Sequence, residues 1–353
     1  GGKAKAVEKH TRVKARVVAH ALRDIMEGAD EVYIMGHHNE DYDCFGAAMG
    51  TLCMARALGK KAHIVLSDMN EGIDRFEDVL RKDESYADVF VRAGDIASVA
   101  SAAALLVVVD AHIPHILADP SLLERIPKVV VIDHHRRSEH FVKNPLLVYI
   151  ETASSSASEL VTELLMYFGE NIRPTKFEAT ALYSGIVVDT KNFNVNTGIR
   201  TFDAAAYLRR AGADPVLVRS LFQSDYETTV ALARAKATAE FFPGGLIVGS
   251  IPEQIQNGQI IASQAADGML RVDGVRMSIY VFQMTADTVG ISARASGDMN
   301  VQVIMEQFGG GGHANVAGAQ VKNVPLREVR AAVIEQARKY IEESDRSESD
   351  TTG

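Results

Sequence analysis

His37, Asp41 and Asp43 fall within seven residues of one another, in the stretch Met35-Gly36-His37-His38-Asn39-Glu40-Asp41-Tyr42-Asp43-Cys44. An imidazole and two carboxylates so spaced suit a divalent cation of intermediate softness. The same residue types also suit a loop that caps the next helix. Three other places decide between these readings. Leu105–Val109 runs into Asp110-Ala111-His112, and Val129–Ile132 runs into Asp133-His134-His135. A single Asp after an apolar run is commonly a turn residue, but turn chemistry does not explain Asp-His-His. The helical pattern from Thr175 to Val188 ends in Asp189. A carboxylate there opposes the helix dipole, at a cost of ~0.3–1 kcal/mol unless a cation offsets it.

Collected, His37, Asp41, Asp43, Asp110, His134 and Asp189 are four carboxylates and two imidazoles. That set can hold two divalent ions that share one carboxylate and one water. Two ions ~3.5–4 Å apart stabilise both the attacking and the leaving oxygen of an in-line phosphoryl displacement. They also lower the pKa of the shared water, giving hydroxide near neutral pH. Mixed imidazole and carboxylate ligation favours manganese over magnesium, with other divalent cations as alternatives. Further along, Gly309-Gly310-Gly311-Gly312 precedes His313. A glycine run can expose N–H groups to cradle a phosphate, and the Arg294 guanidinium can hold a phosphate oxygen through its fork. A plain flexible loop remains the alternative for the glycines.

These groups need a scaffold that presents strand ends side by side. Apolar runs at Glu31–Met35, Ala62–Leu66, Leu105–Val109 and Val129–Ile132 alternate with helical patterns such as Ala47–Leu58 and Ile73–Leu80. Continuous Val/Ile/Leu runs indicate strands buried on both faces. Their alternation with helices predicts an α/β fold, a parallel doubly wound sheet, which binds ligands beyond the carboxyl ends of its strands. Ser156-x-x-Glu159 predicts a capping box for a helix through Phe168. Helical patterns follow at Phe202–Ala211, Pro215–Phe222 and Tyr226–Phe241. After Phe242-Pro243-Gly244-Gly245 come short strands, Leu246–Ile251, Met277–Gln283, Thr288–Ala293 and one near Gly318–Val321. Helical segments at Val301–Phe308 and Pro325–Ile341 accompany them. This predicts a smaller α+β domain with a mixed sheet.

The expected organisation is a connecting helix over 1–28, a catalytic domain over 29–195 and a helical linker over 196–240. A substrate-binding domain over 241–343 and a disordered polar tail over 344–353 complete it. The connecting helix is basic, with Val7, Val13, Val17, Val18, Leu22, Ile25 and Met26 at helical spacing.

Composition narrows the function. Of 353 residues 47% are hydrophobic, enough for about two domains. A formal net charge of −9 lacks the basic footprint of a long-nucleic-acid binder and fits a small anionic ligand held by local groups. Cys44 and Cys53 are the only cysteines, so no disulfide framework is expected. No apolar run reaches the ~18 residues of a membrane span, so these residues are expected to be soluble, with no direct membrane contact of their own.

The ordered motifs His37-x3-Asp41-x-Asp43, Asp110-x-His112, Asp133-His134-His135 and Asp189, followed by Gly309–His313, resemble the DHH superfamily of phosphoesterases with its DHH-associated C-terminal domain. The likeness covers about residues 30 to 340. The strings Glu151-Thr152-Ala153-Ser154-Ser155-Ser156, Val187-Val188-Asp189-Thr190-Lys191-Asn192-Phe193 and Arg200-Thr201-Phe202-Asp203-Ala204-Ala205 are similar to those of GdpP-type cyclic-di-AMP phosphodiesterases. That likeness implies manganese-dependent hydrolysis of cyclic di-AMP to linear pApA. It also implies a longer, membrane-anchored parent protein, with the catalytic part at the cytoplasmic face of a bacterial membrane. A homodimer is the assembly expected.

By position, the resemblance makes His37, Asp41 and Asp110 ligands of a first ion. Asp43, Asp110, His134 and Asp189 become ligands of a second. Asp133 is expected to orient His134 through its ring N–H, and His135 to contact the scissile phosphate, so Asp110, Asp133 and His135 form the catalytic set. His135, Arg294, Ser296, Gly309, Gly310, Gly311, Gly312 and His313 are the expected substrate contacts. Relatives usually carry Pro where this chain has Glu40, which places an extra charge beside the metals. A nanoRNase-like hydrolase of short linear oligonucleotides or pAp would share the metal site, as would a dinucleotide sensor with little turnover. An inorganic pyrophosphatase would share the metal motifs but lack the glycine-run domain.

Overall fold

The computed structural model describes residues 2–67, 72–92, 94–96, 101 and 103–351, and among them the side chains of residues 11–346. The chain divides into two compact units, Gly1–Gln223 and Ser224–Gly353.

In the first unit, β1 (Glu31–Met35), β2 (Lys61–Leu66), β3 (Phe90–Arg92), β4 (Leu105–Val109), β5 (Val129–Asp133) and β6 (Leu147–Ile150) form a wholly parallel sheet in the order β3-β2-β1-β4-β5-β6. Its helices are α1 (Gly2–Glu27), α2 (Tyr42–Ala57), α3 (Asp74–Leu80), α4 (Leu122–Arg125), α5 (Ala157–Phe168), α6 (Lys176–Asp189), α7 (Ile199–Arg210) and α8 (Pro215–Leu221). Alternate strand residues serve different cores, as a period of two requires. Val32, Ile34, Leu105, Val107, Val109, Val130 and Ile132 join the core that also takes residues of α1, α2, α5 and α6. Tyr33, Met35, Leu106, Val108, Val129 and Val131 join the one that takes Leu122 and Ile126. This two-faced burial is why the strands read as unbroken apolar runs.

From β1 the chain builds outward through β2 and β3, then returns to β4 on the other side of β1. Connections therefore diverge at the carboxyl ends of β1 and β4. Such a switch point is where open parallel sheets take ligands, and the residues directly beyond it are His37 and Asp110.

A glycine seam brings the helices over that point together. A Cβ on Gly46 of α2 would lie 2.5 Å from the Ala181 carbonyl oxygen of α6. One on Gly185 of α6 would lie 2.2 Å from Ser158 Oγ of α5 and 2.9 Å from the Cα of Asp43. Without those side chains α2 and α6 pack antiparallel at close range, so the start of α2 meets the end of α6.

The second unit contains α9 (Tyr226–Ala237), β7 (Glu240–Phe242), β8 (Leu246–Ile251), α10 (Gly258–Met269), β9 (Met277–Gln283), β10 (Thr288–Ala295), α11 (Val301–Glu306), β11 (Gly311–Gly312), β12 (Val316–Lys322) and α12 (Leu326–Thr351). Its sheet runs β11-β12-β10-β9-β8-β7, mixed because β8 and β9 alone pair in parallel. Val329, Val333 and Ala337 of α12 pack with one face. Ala235 of α9 and Ile261, Ala262, Ala265 and Ala266 of α10 pack with Ile251, Tyr280 and Phe282 on the other.

Several local expectations differ from what is found. The polar tail expected to be disordered continues α12 to Thr351. Buried Ile341 and the Arg276 Nη1 to Asp345 Oδ1 bond, 2.8 Å, tie that extension to the unit. The 196–240 stretch divides: α7 and α8 bury Ala204, Leu208 and Leu221 in the first unit, while α9 buries Ala235 in the second. Phe241, read as helical, lies in β7. The buried face of α1 is Ala15, Val18, Ala19, Leu22 and Met26, whereas Val13 and Val17 face outward; the side chain of Val7 lies outside the described residues. The expected capping box at Ser156 is half formed. Ser156 Oγ accepts from Glu159 N at 3.0 Å, but the Glu159 carboxylate accepts from Ser155 N and Oγ and from Thr201 Oγ1 instead.

Gly185→Ala should destabilise the protein by about 1–3 kcal/mol, the usual range for overpacking a close contact. Denaturant unfolding measures it. Gly94→Ala, where a Cβ meets nothing within 4 Å, is the comparison.

Candidate metal centre

His37 lies two residues past β1, and its Nδ1 lies 2.9 Å from the carbonyl of His38. A proton on Nδ1 donated to that carbonyl leaves Nε2 as the ligand atom. Nε2 lies 3.4 Å from Asp110 Oδ2 and 3.8 Å from Asp41 Oδ1. Asp41 is the N-cap of α2; its Oδ1 accepts from the N–H groups of Asp43 and Cys44 at 3.0 and 2.9 Å. Both bland and chemical readings of this stretch therefore hold at once: one carboxylate caps the helix and faces an imidazole.

Asp43 is fully buried one step inside α2. Its two oxygens accept from Ala157 N (2.8 Å) and Ser158 N (2.7 Å) at the start of α5. The positive end of α5 thus helps hold the carboxylate. Asp43 Oδ2 lies 3.6 Å from His134 Nε2, which also lies 3.4 Å from Asp110 Oδ1 and 3.5 Å from Asp189 Oδ2 at the last residue of α6. Ligand atoms of His37, Asp41 and Asp110 lie within 4.8 Å of one another, and so do those of Asp43, His134 and Asp189. Asp110 forms a third such group with His134 and His135. Asp110 itself holds a left-handed backbone, φ 55°, a conformation Asp tolerates better than most residues.

Asp133 plays a different part from the one expected. Its carboxylate does not reach the ring of His134. Oδ1 accepts from the main-chain N–H groups of His134 (2.7 Å) and His135 (3.2 Å) and bonds His135 Nδ1 at 2.8 Å. Oδ2 bonds His112 Nδ1 at 2.5 Å. Being fully buried at the end of β5, the side chain serves the turn that follows it, while the His134 ring projects towards Asp43, Asp110 and Asp189. His112, a motif residue to which the sequence assigns no role, has one here. Its Nε2 accepts from Ser138 N at 3.0 Å, so its proton rests on Nδ1 and is given to Asp133. Glu40 is buried; Oε1 accepts from Ser67 N and Oγ beyond the end of β2, while Oε2 has no hydrogen-bond partner among the described residues. His140 and Arg136 are exposed, with Arg136 at the rim of the same cavity. That cavity, about 490 Å³, is lined by His37, Asp41, Asp110, His134, His135 and Asp189 among others.

The residues fit divalent cations. Asp110 Oδ1 is buried with no hydrogen-bond partner among the described residues, a costly state for a carboxylate oxygen that a cation would relieve. Without one, burial first and then the charges of Asp110, Asp189 and Asp41 push Asp43 well above the usual carboxylate range. Burial and the charges of Asp110 and Asp41 push Asp189 up to about 7. Burial opposes a charged His37, but the adjacent Asp110 outweighs it and raises His37 to about 9. The Asp133 bond raises His135 to about 9 against its burial. Burial would raise Asp133, yet His135 and His112 bring it down to about 2.

The substrate residues expected in the second unit are partly gathered. Arg294, Gly309 and Gly310 line one cavity of about 490 Å³ with Ser292, Phe282 and Gln320; Ser296, Gly311, Gly312 and His313 do not line it. Arg294 is held by Asp267 (Nε to Oδ1, 3.0 Å) and Ser292 Oγ (3.1 Å). Two of the four glycine amides expected to cradle a phosphate are already used. Gly309 N donates to Glu306 O and Gly310 N to Met305 O, closing α11. Gly311 and Gly312 pair with β12, and a Cβ on Gly310 would lie 2.1 Å from the Gly318 carbonyl oxygen. The run is glycine for packing as much as for any ligand.

The fold that carries this candidate centre is a doubly wound sheet followed by a mixed-sheet unit. Residues 31–186 match the DHH family, N-terminal domain, and residues 245–343 match the DHHA1 domain. The chain belongs to the DHH family, with a DHHA1 domain following its DHH domain. It is 42% identical over 344 residues to the cyclic-di-AMP phosphodiesterase GdpP of Geobacillus thermodenitrificans, covering 97% of this chain and 52% of that protein. It is 41% identical to the cyclic-di-AMP phosphodiesterase PdeA of Listeria monocytogenes, covering 95% and 51%. The chain therefore spans about half the length of the curated relatives it matches. In fold it is similar to an exopolyphosphatase-related protein from Bacteroides fragilis, with TM-score 0.70 at 18% identity over 93% of this chain and 96% of that one. No helix among the described residues is long and apolar enough to cross a membrane.

The cation-free protein should lose stability as pH rises from about 5 to about 9. Asp189 at about 7, against an ordinary 3.8, binds its proton more tightly folded than unfolded, so stability falls as pH climbs between the two. The favourable charges on His37 and His135 are fully present below 6.5 and are lost as pH passes about 9, with the same sign. Thermal unfolding in chelator measures this. Added manganese should flatten or reverse the slope, since ligands bind metal deprotonated. A midpoint rising between pH 5 and pH 8 in chelator would contradict the account.

Proposed function

We propose that this chain is a manganese-dependent phosphodiesterase that hydrolyses cyclic di-AMP to linear pApA. The observation that carries the reading is Asp110. One buried carboxylate lies beside His37 with one oxygen and beside His134 with the other, at 3.4 Å each. That is the arrangement two cations sharing a ligand require, with His37 and Asp41 serving one and Asp43, His134 and Asp189 the other. Cations held there supply Lewis acidity at a phosphate oxygen and a water acidic enough to attack near neutral pH. Similarity to two proteins named as cyclic-di-AMP phosphodiesterases supports the substrate.

The chain's own groups do the rest. Asp133 keeps His135 protonated, with His135 raised to about 9. An exposed imidazolium beside Asp110 can donate a charge-assisted hydrogen bond to the scissile phosphate. His112, bonded to Asp133 and to Ser138 N, holds Asp133 in the orientation that serves His135. In the second unit we assign substrate contact to Arg294, Ser296, Gly309–Gly312 and His313. Arg294 carries most of that assignment, since Asp267 and Ser292 fix its fork at a cavity wall.

Asp110→Ala should abolish binding of both ions, because it removes the shared ligand. Isothermal titration with manganese measures the stoichiometry. Two tightly bound ions with near-normal turnover in that variant would end the assignment.

A time course with manganese and cyclic di-AMP, resolved by chromatography, should show pApA accumulating before AMP. Faster cleavage of linear dinucleotides than of the cyclic one would overturn the proposed substrate.

A further inference from the structure

Two of the strings singled out in the sequence, Val187–Phe193 and Arg200–Ala205, meet at an aromatic stack that the metal chemistry does not use. The rings of Phe193 and Phe202 lie nearly parallel, centroids 5.7 Å apart at 24°. Tyr183 of α6 flanks Phe193 at 6.0 Å. Phe202 is the outer ring, 53% exposed.

The stack is rigidly built. Directly after Asp189 and Thr190, three consecutive residues, Lys191, Asn192 and Phe193, take left-handed φ values of 46°, 59° and 62°. Side chains other than glycine adopt that region only where the surroundings enforce it, and such strain gathers at functional sites. Thr190 enforces it here. Its Oγ1 accepts from Phe193 N at 2.9 Å and its carbonyl from Asn194 N at 2.8 Å, while Asn192 N donates to Val187 O at 2.7 Å. On the other side α7 is pinned by Thr201 Oγ1 to Glu159 Oε2, 2.7 Å, and by Arg200 bound through two nitrogens to buried Glu163. A strained turn four residues from a candidate ligand therefore fixes one ring, and a buried ion pair fixes the ring stacked on it. Neither device is needed to place an apolar residue on a helix surface.

We propose that Phe202, backed by Phe193, is a stacking platform for a purine base of the nucleotide whose phosphate engages the metal centre. The proposal rests on the phosphodiesterase reading and adds to it the group that recognises the base. A flat ring held by a second ring offers a base a π-face without asking for new order on binding.

The chain contains no tryptophan, so Phe202→Trp places a single fluorescent reporter on the platform and preserves the stack. AMP titrated into that variant with manganese present should quench the fluorescence saturably; ribose 5-phosphate, which has no base, should not. Phe202→Ala should raise KM for cyclic di-AMP roughly 5- to 150-fold, the measured range for one base–ring stack expressed as an affinity ratio. The change in kcat should be smaller, and Phe202→Trp should restore KM. An unchanged KM in Phe202→Ala, or equal quenching by AMP and ribose 5-phosphate, overturns the proposal. So does loss of a dimer in Phe202→Ala at unchanged KM, which would assign the ring to contacts between copies. If the wild-type protein cuts no cyclic di-AMP while AMP still quenches Phe202→Trp, the phosphodiesterase reading fails and the platform stands.

Discussion

Four carboxylates packed within a few ångströms of one another repel, and the first unit is arranged to hold them there. The glycine seam between α2 and α6 forces the approach, since a side chain at Gly46 or Gly185 would collide with the neighbouring helix. Partial relief comes from several sources. The start of α5 gives Asp43 two amide hydrogen bonds, α2 gives Asp41 two more, and two imidazoles lie beside Asp110. The relief is incomplete, as the upward displacement of Asp43 and Asp189 and the bare oxygen of Asp110 record. What remains is a cation-shaped deficit, and stability is traded for it.

Around this centre the orienting work is done by buried groups that touch no ligand atom. Asp133 gathers three histidines through two oxygens: the ring of His112, the ring of His135, and the main chain of His134 and His135. Because the carboxylate is fully buried, those bonds are strong and poorly exchanged for water. The turn after β5 is thereby set, and with it the direction in which the ring of His134 projects. In the second unit, Asp267 and Ser292 treat Arg294 in the same manner.

Much of this could be read from the chain because the chemistry sits at the ends of long, fully buried strands. β1 and β4 carry five apolar or aromatic positions in a row behind the ligand, or nearly so, and their limits match the apolar runs. β3, Phe90–Arg92, is a three-residue edge strand too short to stand out, whereas β6, Leu147–Ile150 at the other edge, lies in the apolar run 146–150 and could have been read as a strand. α10 was missed because Gly258, Ala262, Ala265, Ala266 and Gly268 read as turn and filler, although small residues are what lets it lie close to β9. The orientation of a ring cannot be inferred from adjacency in sequence. Asp133 next to His134 suggested a ring contact, whereas the burial of the carboxylate directed it to the turn and to His112, 21 residues earlier. The charge at Glu40 was visible, but its partner Ser67 depends on how β2 ends.

The candidate ligands run from His37 to Asp189, and no short segment holds all three residues of either candidate group. During synthesis the first five would emerge well before the last, and until α6 docks against α2 the second group lacks its closing carboxylate. Capture of a cation by that second candidate group would therefore report that α6 has docked. An ion that binds only the assembled layer would add its binding energy to the native state. For that group, closing the helix layer and completing a cation site would be a single event.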